Sequence, residues 1–424
     1  MAKQTVLVCT VGGSPEPIES AIRALAPGRV VFVASSEGGP DGRGSQPEAE
    51  KIAQACELAP EQFVIEPVPA DDPDRAGSRC SEIVRRERAR SPASRLVCDY
   101  TGGTKTMSAA LMLAAIGHAV AGVELQFMAG QRRDLHKVAG GTEKPHRFSI
   151  DALLAERALE RADLFWRDHG YAEAEALLRP HDEALQAAEE APEELRRRVS
   201  RAHHASAMLA AWDRFEHRRA LSILNKEGLA QAWSEIARLR EPLQKLASEA
   251  KRMPLLLLDL WRNARRRAAR GQYDDAVARA YRLVEATAQH LHEKETGIDT
   301  GAVDLARIPE ARRHKWQSEL GEKQQAGLVK AWALFIDLRP GHPVAKALAR
   351  PFEGRKPLDL LQEWTRRRNG SLLAHGFVPV GEAGWREVEA WMERHWAGAI
   401  WPHLASGADL PAFPTSLSGL TKPL

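Results

Sequence analysis

The sequence predicts an α/β domain over residues 1–150 followed by an all-α half. Three observations carry that expectation. Short β-branched runs alternate with helix-like stretches through the first 150 residues and then stop. All four cysteines (Cys9, Cys56, Cys80, Cys98) lie within the first 98 residues. All eleven tryptophans lie between Trp166 and Trp401.

The strand-like runs are Val6–Val11, Val30–Ala34, Phe63–Val68, Leu96–Cys98 and Val123–Met128. Between them, Pro15–Leu25, Glu48–Leu58, Arg75–Arg90 and Thr104–Ile116 read as helices. The strands are continuously apolar rather than alternating, as in a parallel sheet covered on both faces. Val123, Leu125 and Phe127 do alternate, which predicts an edge or half-exposed strand. The pattern is that of a Rossmann-like domain. After Asp151 the residues are rich in Ala, Leu, Glu and Arg, and Pro180, Pro192, Pro242 and Pro254 are expected to divide them into helices. Val277, Tyr281, Val284, Ala288 and Leu291 mark an amphipathic helix, with Asp274 and Asp275 suited to its N-terminal dipole. Further helices are expected over Gln317–Asp337, Pro357–His375 and Gly384–Trp401. The organisation is then a sensor-sized domain (1–150), a helical connector (151–250), a second helical domain (251–405) and an irregular tail (406–424).

The chain has 424 residues, 44% of them hydrophobic and 28% charged, which suits a folded protein of two or three domains. A formal charge of +3 makes no case for nucleic acid, so any basic surface must be local. The apolar run Met107–Ala115 is about half of the roughly 20 residues a bilayer span needs, and Val6–Cys9 is too short for a signal sequence. A cytoplasmic, membrane-free protein with reduced core cysteines is expected.

Two loops have the composition of a ligand site. Thr10-Val11-Gly12-Gly13-Ser14 follows the first strand, and Asp99-Tyr100-Thr101-Gly102-Gly103-Thr104-Lys105-Thr106-Met107 joins the fourth strand to its helix. In open α/β sheets, ligands sit beyond the C-terminal strand ends. Glycines let the backbone approach a ligand, and the helix N-terminus favours an anion. A Walker A loop would need glycines where Thr104 and Asp99 stand, and GxGxxG is absent from the first loop. The composition suits a phosphate-bearing ligand; tight turns with hydroxyl caps are the alternative.

A strand ending in Asp99 and running through Thr101-Gly102-Gly103-Thr104-Lys105-Thr106-Met107 into an apolar helix resembles the CARF domain, the CRISPR-associated Rossmann-like sensor. The resemblance covers residues 1–150 and implies binding of cyclic oligoadenylate, with tetra-adenylate expected over hexa-adenylate. It places Thr10, Gly12, Gly13, Ser14, Thr101, Gly102, Gly103, Thr104 and Lys105 around the messenger, with Ser35 and Ser36 contributing. A two-fold symmetric ring fits a site shared across a homodimer axis.

In the helical half, Arg368 and His375 stand seven residues apart, within about 20° of two full helical turns. His375 before Gly376 would sit in a last helical turn, where the negative helix end favours an imidazolium. Arginine can hold a phosphate while histidine exchanges protons. Chance spacing and simple C-capping are the alternative on spacing alone. Arg368-Asn369 followed by a stretch ending in Ala374-His375-Gly376 is similar to the R-x4–6-H motif of HEPN ribonucleases, here with six intervening residues. That resemblance implies metal-independent cleavage of single-stranded RNA, in which the 2′-hydroxyl attacks and leaves a 2′,3′-cyclic phosphate. Arg368 would bind the scissile phosphate, Asn369 orient it and His375 move the proton. The sequence has no HExxH and no clustered His/Cys set, and no metal is expected. Two copies facing across a homodimer would form the cleft, with Tyr273–His290 packed nearby. The basic run Arg262, Arg265, Arg266, Arg267, Arg270 reads as a solvated face or an RNA guide. The competing reading is a ligand-sensing regulator that binds nucleic acid or protein and cuts nothing.

Overall fold

The computed structural model describes residues 4–38, 42–118, 123–129, 144–148, 150–188, 191–226, 228–248, 253–351, 354–369, 376–404 and 409–421; the side chains of 147, 148, 366–368 and 420 are outside the description. The chain divides into two compact units. The first comprises 1–158 and 179–197, and the second 159–178 and 198–424, so residues 151–250 are shared between them.

The first unit is built on strands β1 (Thr5–Thr10), β2 (Arg29–Ser35), β3 (Phe63–Val68), β4 (Arg95–Asp99), β5 (Val123–Ala129) and β6 (Lys144–Phe148). Their order is β3-β2-β1-β4-β5-β6, the Rossmann order. β1 pairs in parallel with β2 (Val8 opposite Val31) and with β4 (Val8 opposite Cys98). Helices α1 (Glu16–Leu25), α2 (Gln46–Ala55), α3 (Pro73–Arg90) and α4 (Lys105–Gly117) cover both faces. Leu7, Cys9, Val30, Phe32 and Val97 pack against Ile18, Ile22 and Ile52 of α1 and α2. Val6, Val8, Val31, Val33 and Cys98 pack on the other face against Ile83 and Val84 of α3 and Leu111 of α4. Two buried faces are why β1, β2 and β4 read as unbroken apolar runs.

The edge expectation for Val123–Met128 is overturned. β6 pairs antiparallel outside β5, with Phe127 opposite His146. Its sequence, Lys-Pro-His-Arg-Phe, has neither apolar alternation nor a β-branched residue. The four cysteines are free thiols; Cys9, Cys80 and Cys98 are buried, and Cys56 is half-buried at the end of α2.

The later helices are α5 (Ile150–Arg167), α6 (Tyr171–Ala187), α7 (Glu193–Asp213), α8 (His217–Lys226), α9 (Leu229–Ala232), α10 (Ser234–Ala237), α11 (Arg240–Ala247), α12 (Met253–Ala269) and α13 (Tyr273–Glu295). They continue as α14 (Glu310–Leu320), α15 (Leu328–Leu338), α16 (Pro343–Ala349), α17 (Pro357–Asn369) and α18 (Glu382–Trp391). A π-helical stretch, Met392–Ile400, leads into α19 (Trp401–Leu404), and a last turn forms α20 (Ser418–Thr421). Three boundaries differ from expectation. Pro180 lies inside α6, which continues past it. The helix expected over Gln317–Asp337 is two, because Gly321 takes a left-handed φ of +68° and ends α14. The tail is irregular over 409–417, yet Leu410, Phe413 and Leu417 are buried and the Tyr171 hydroxyl donates to the Pro414 carbonyl at 3.0 Å.

The core of the second unit gathers Trp261 of α12, Val277, Ala280 and Val284 of α13, Trp332 and Phe335 of α15, Leu361 of α17, and Trp385 and Trp396. The tryptophans Trp385, Trp391 and Trp396 are therefore core. His292 is fully buried and donates from Nε2 to the Ala331 carbonyl at 2.8 Å, a packing role.

Candidate functional site

Order reverses between β1 and β4, whose chain continuations run to opposite sides of the sheet. A ligand crevice belongs at that switch point. Both glycine loops emerge there and touch through their backbones. A Cβ on Gly12 would stand 2.7 Å from the Gly103 nitrogen, and one on Gly102 would meet the Thr10 carbonyl oxygen. Gly103 has φ +78°, which a side chain rarely adopts.

The hydroxyls around these loops are largely spent on holding them. Thr10, fully buried, donates to the Gly102 carbonyl at 2.7 Å. Thr101 donates through both its N–H and hydroxyl to Asp99, and accepts from the Met128 N–H at 2.8 Å. Thr104 caps α4 by accepting from the Met107 N–H and donates to the Ala70 carbonyl at 2.6 Å. Ser35 accepts from the Ser45 N–H at 2.7 Å, while the Ser45 hydroxyl donates to the Val11 carbonyl. Ser36 is half-buried, its N–H bonded to the Val68 carbonyl. Gly13, Ser14 and Lys105 are exposed, and Gly12, Gly102 and Gly103 half-buried. The structure thus brings the two loops together, with Thr10, Ser35, Thr101 and Thr104 as framework and Gly13, Ser14 and Lys105 on the open side.

Sequence reasoning missed three framing residues. Asp99 is 1% exposed, and Gln126 donates to its second oxygen at 2.9 Å. Burial pushes the Asp99 carboxyl up, against the bonds from Thr101 and Gln126 that pull it down. Gln126 sits opposite Asp99 in the β4–β5 register, a polar residue inside an apolar strand, and that was its signal. Ser45 looked like a helix cap, but its hydroxyl goes to Val11 instead.

In the second unit, α17 carries Arg368, whose side chain is outside the description, and ends at Asn369, which is exposed. His375 lies outside the described residues. α13 packs against α17, the neighbour that the resemblance to HEPN ribonucleases implied. The basic run is no free surface. Arg266 and Arg267 bond Asp213 at 2.7 and 2.6 Å with only 7% and 16% side-chain exposure. Arg270 pairs with Glu173, Arg262 with Asp409, and Arg265 with Glu389 and Glu393. The middle of the run, Arg266 and Arg267, is therefore an enclosed ion-pair knot, while Arg265, at 56% exposure, keeps to a solvated face.

The comparisons fit this division. Residues 245–397 match the family model of the Csm6 HEPN domain, a span that holds α12 to α18, Arg368, Asn369 and His375. The chain thus carries an α/β domain of Rossmann strand order ahead of a segment that matches the HEPN domain of Csm6. It is similar in fold to Enterococcus italicus Csm6 bound to cyclic hexa-2'-fluoro-hexa-dAMP, with TM-score 0.62 and 11% identity over 95% of each chain. Can2 from Sulfobacillus thermosulfidooxidans, in complex with cyclic tetra-adenylate, matches 49% of this chain and 67% of its own at 16% identity, with TM-score 0.25. No curated protein sequence matches the chain. Among the described residues, no helix is long and apolar enough to cross a membrane.

Proposed function

We propose that this chain is a metal-independent endoribonuclease for single-stranded RNA, acting as a homodimer and switched on by cyclic oligoadenylate. The observation that carries the reading is the pairing, in one chain, of a glycine-loop crevice at the β1/β4 switch point with a HEPN domain over 245–397. At the crevice, Gly12, Gly102 and Gly103 let the two loops close against each other, while Gly13, with nothing within 4 Å of an added Cβ, leaves open space for a phosphate. The α4 N-terminus and the exposed Lys105 supply positive charge.

In the HEPN domain, Arg368 holds the scissile phosphate and stabilises its added charge, Asn369 orients it, and His375 transfers the proton between the 2′-hydroxyl and the leaving 5′-oxygen. Cleavage then gives a 2′,3′-cyclic phosphate and a 5′-hydroxyl. The Csm6 neighbour was captured with a six-unit ring; the CARF resemblance carries an expectation of four units, so ring length is part of the test.

The test is cleavage of labelled RNA in EDTA, with rings of three, four or six adenylates and without any. Ring-dependent cleavage that disappears in His375→Ala is expected. Equal cleavage by that variant, or none with any ring, overturns the reading.

A further inference from the structure

A cavity of about 560 Å3 opens in the second unit between α17 and the segment formed by α18 and the π-helix. Pockets for small ligands span roughly 300–1,000 Å3, so its size suits one nucleotide. Its wall is aromatic. Trp364 and Trp391 lie with ring centroids 5.8 Å apart, and His395 follows at 5.3 Å from Trp391. Trp391 and His395 are each 7% exposed, so the wall is fixed by packing. The rim carries both charges: Arg355 and Arg394, and the carboxylates Glu363 and Glu387.

Two further facts tie the cavity to the chemistry of the domain. Arg394 and His395 belong to the π-helical stretch, a rare geometry concentrated at functional sites. Leu360 and Trp364 reach the cavity from α17, and Arg368 stands four residues on, one turn or about 6 Å further along the same helix.

We infer that this cavity receives one unpaired base of the RNA beside the cut, an inference that rests on the ribonuclease reading. Arg355 donates to Glu363 at 2.7 Å and the pair closes one side of the rim; the Trp364 indole stacks the base, Arg394 attracts the adjoining phosphate, and Glu387 accepts from an exocyclic amino group. Adenine, cytosine and guanine carry such a group. Uracil does not, and it is the disfavoured base.

The test uses Glu387→Gln, a near-isosteric change at an exposed position, together with Trp364→Leu. Randomised single-stranded RNA is cut by the full-length protein and the product ends are sequenced. The expected result is depletion of uracil, by threefold or more, at one fixed offset from the cut, with the bias lost in Glu387→Gln. An identical cut pattern in the native chain and Glu387→Gln overturns the inference and leaves the ribonuclease reading standing. If the native chain cuts no RNA with any ring, equilibrium dialysis with AMP, CMP and UMP decides. Binding of AMP and CMP over UMP that survives Lys105→Ala but is lost in Glu387→Gln supports the cavity as a base site. Binding unchanged by Glu387→Gln, or absent, overturns it.

Discussion

Gly102 shows how tightly single positions are held. An added methyl would run into the Thr10 carbonyl oxygen and sit 3.1 Å from the Gly12 nitrogen, and backbone atoms cannot swing aside. Gly102→Ala should therefore cost about 1–3 kcal/mol, read as a lower urea midpoint, and weaken messenger binding by forcing the loops apart. Gly13 has nothing within 4 Å of its virtual Cβ, so Gly13→Ala should stay within about 0.5 kcal/mol of the native chain. The glycine pairs and Lys105 were legible in the sequence because loop composition is local. The roles of Thr10 and Ser35 were not, since the Thr10 hydroxyl finds its acceptor 92 residues away and Ser35 finds Ser45 across a turn.

Between elements, charge pairs stitch helices to their supports. Glu87 of α3 accepts from Arg29 of β2 at 2.8 Å and from Arg86. Burial alone pushes its carboxyl up, but the bonds from the two arginines outweigh it and leave the pKa below the usual glutamate range. The contribution is thus present above the ordinary carboxyl range, about pH 4–5, and is lost as pH falls through the lowered native value. Glu87→Gln should cost roughly 1.5–3 kcal/mol at pH 7, with the gap to the native chain closing in acid, as thermal melts across pH would show. Asp213 makes the larger knot, serving Asn263, Arg266 and Arg267 of α12. Its replacement by Ala leaves Arg266 and Arg267 only the more distant Asp259 and Asp275, at 3.8 and 3.5 Å, and should cost about 3 kcal/mol by denaturant titration. Periodicity revealed the parallel strands and α13, where one apolar face repeats without interruption. It could not reveal β6, whose Lys-Pro-His-Arg-Phe has no apolar period, nor that Pro180 would be absorbed within α6.

For the whole molecule, sensing and cutting are assigned to residues far apart in the chain, so they should be separable by mutation. Lys105→Ala should raise the messenger concentration needed for half-maximal cleavage by roughly ten- to a hundredfold, the worth of one charge-assisted bond, without changing the maximal rate. His375→Ala should abolish cleavage while messenger affinity, followed by calorimetry, stays at the native value. The change from an α/β start to a helical remainder was readable from composition, since strands, cysteines and tryptophans segregate along the chain, whereas the sharing of residues 151–250 between the two units was not. The same segregation sets up a spectroscopic experiment. Cys56 is the least buried of the four thiols, and burial holds even its pKa above the usual value, so mildly alkaline maleimide should tag it first. A dye placed there marks the first unit alone, while every indole emits from beyond residue 165, so that under the proposed function a messenger-dependent change in transfer between them can be followed in real time without any engineered label site.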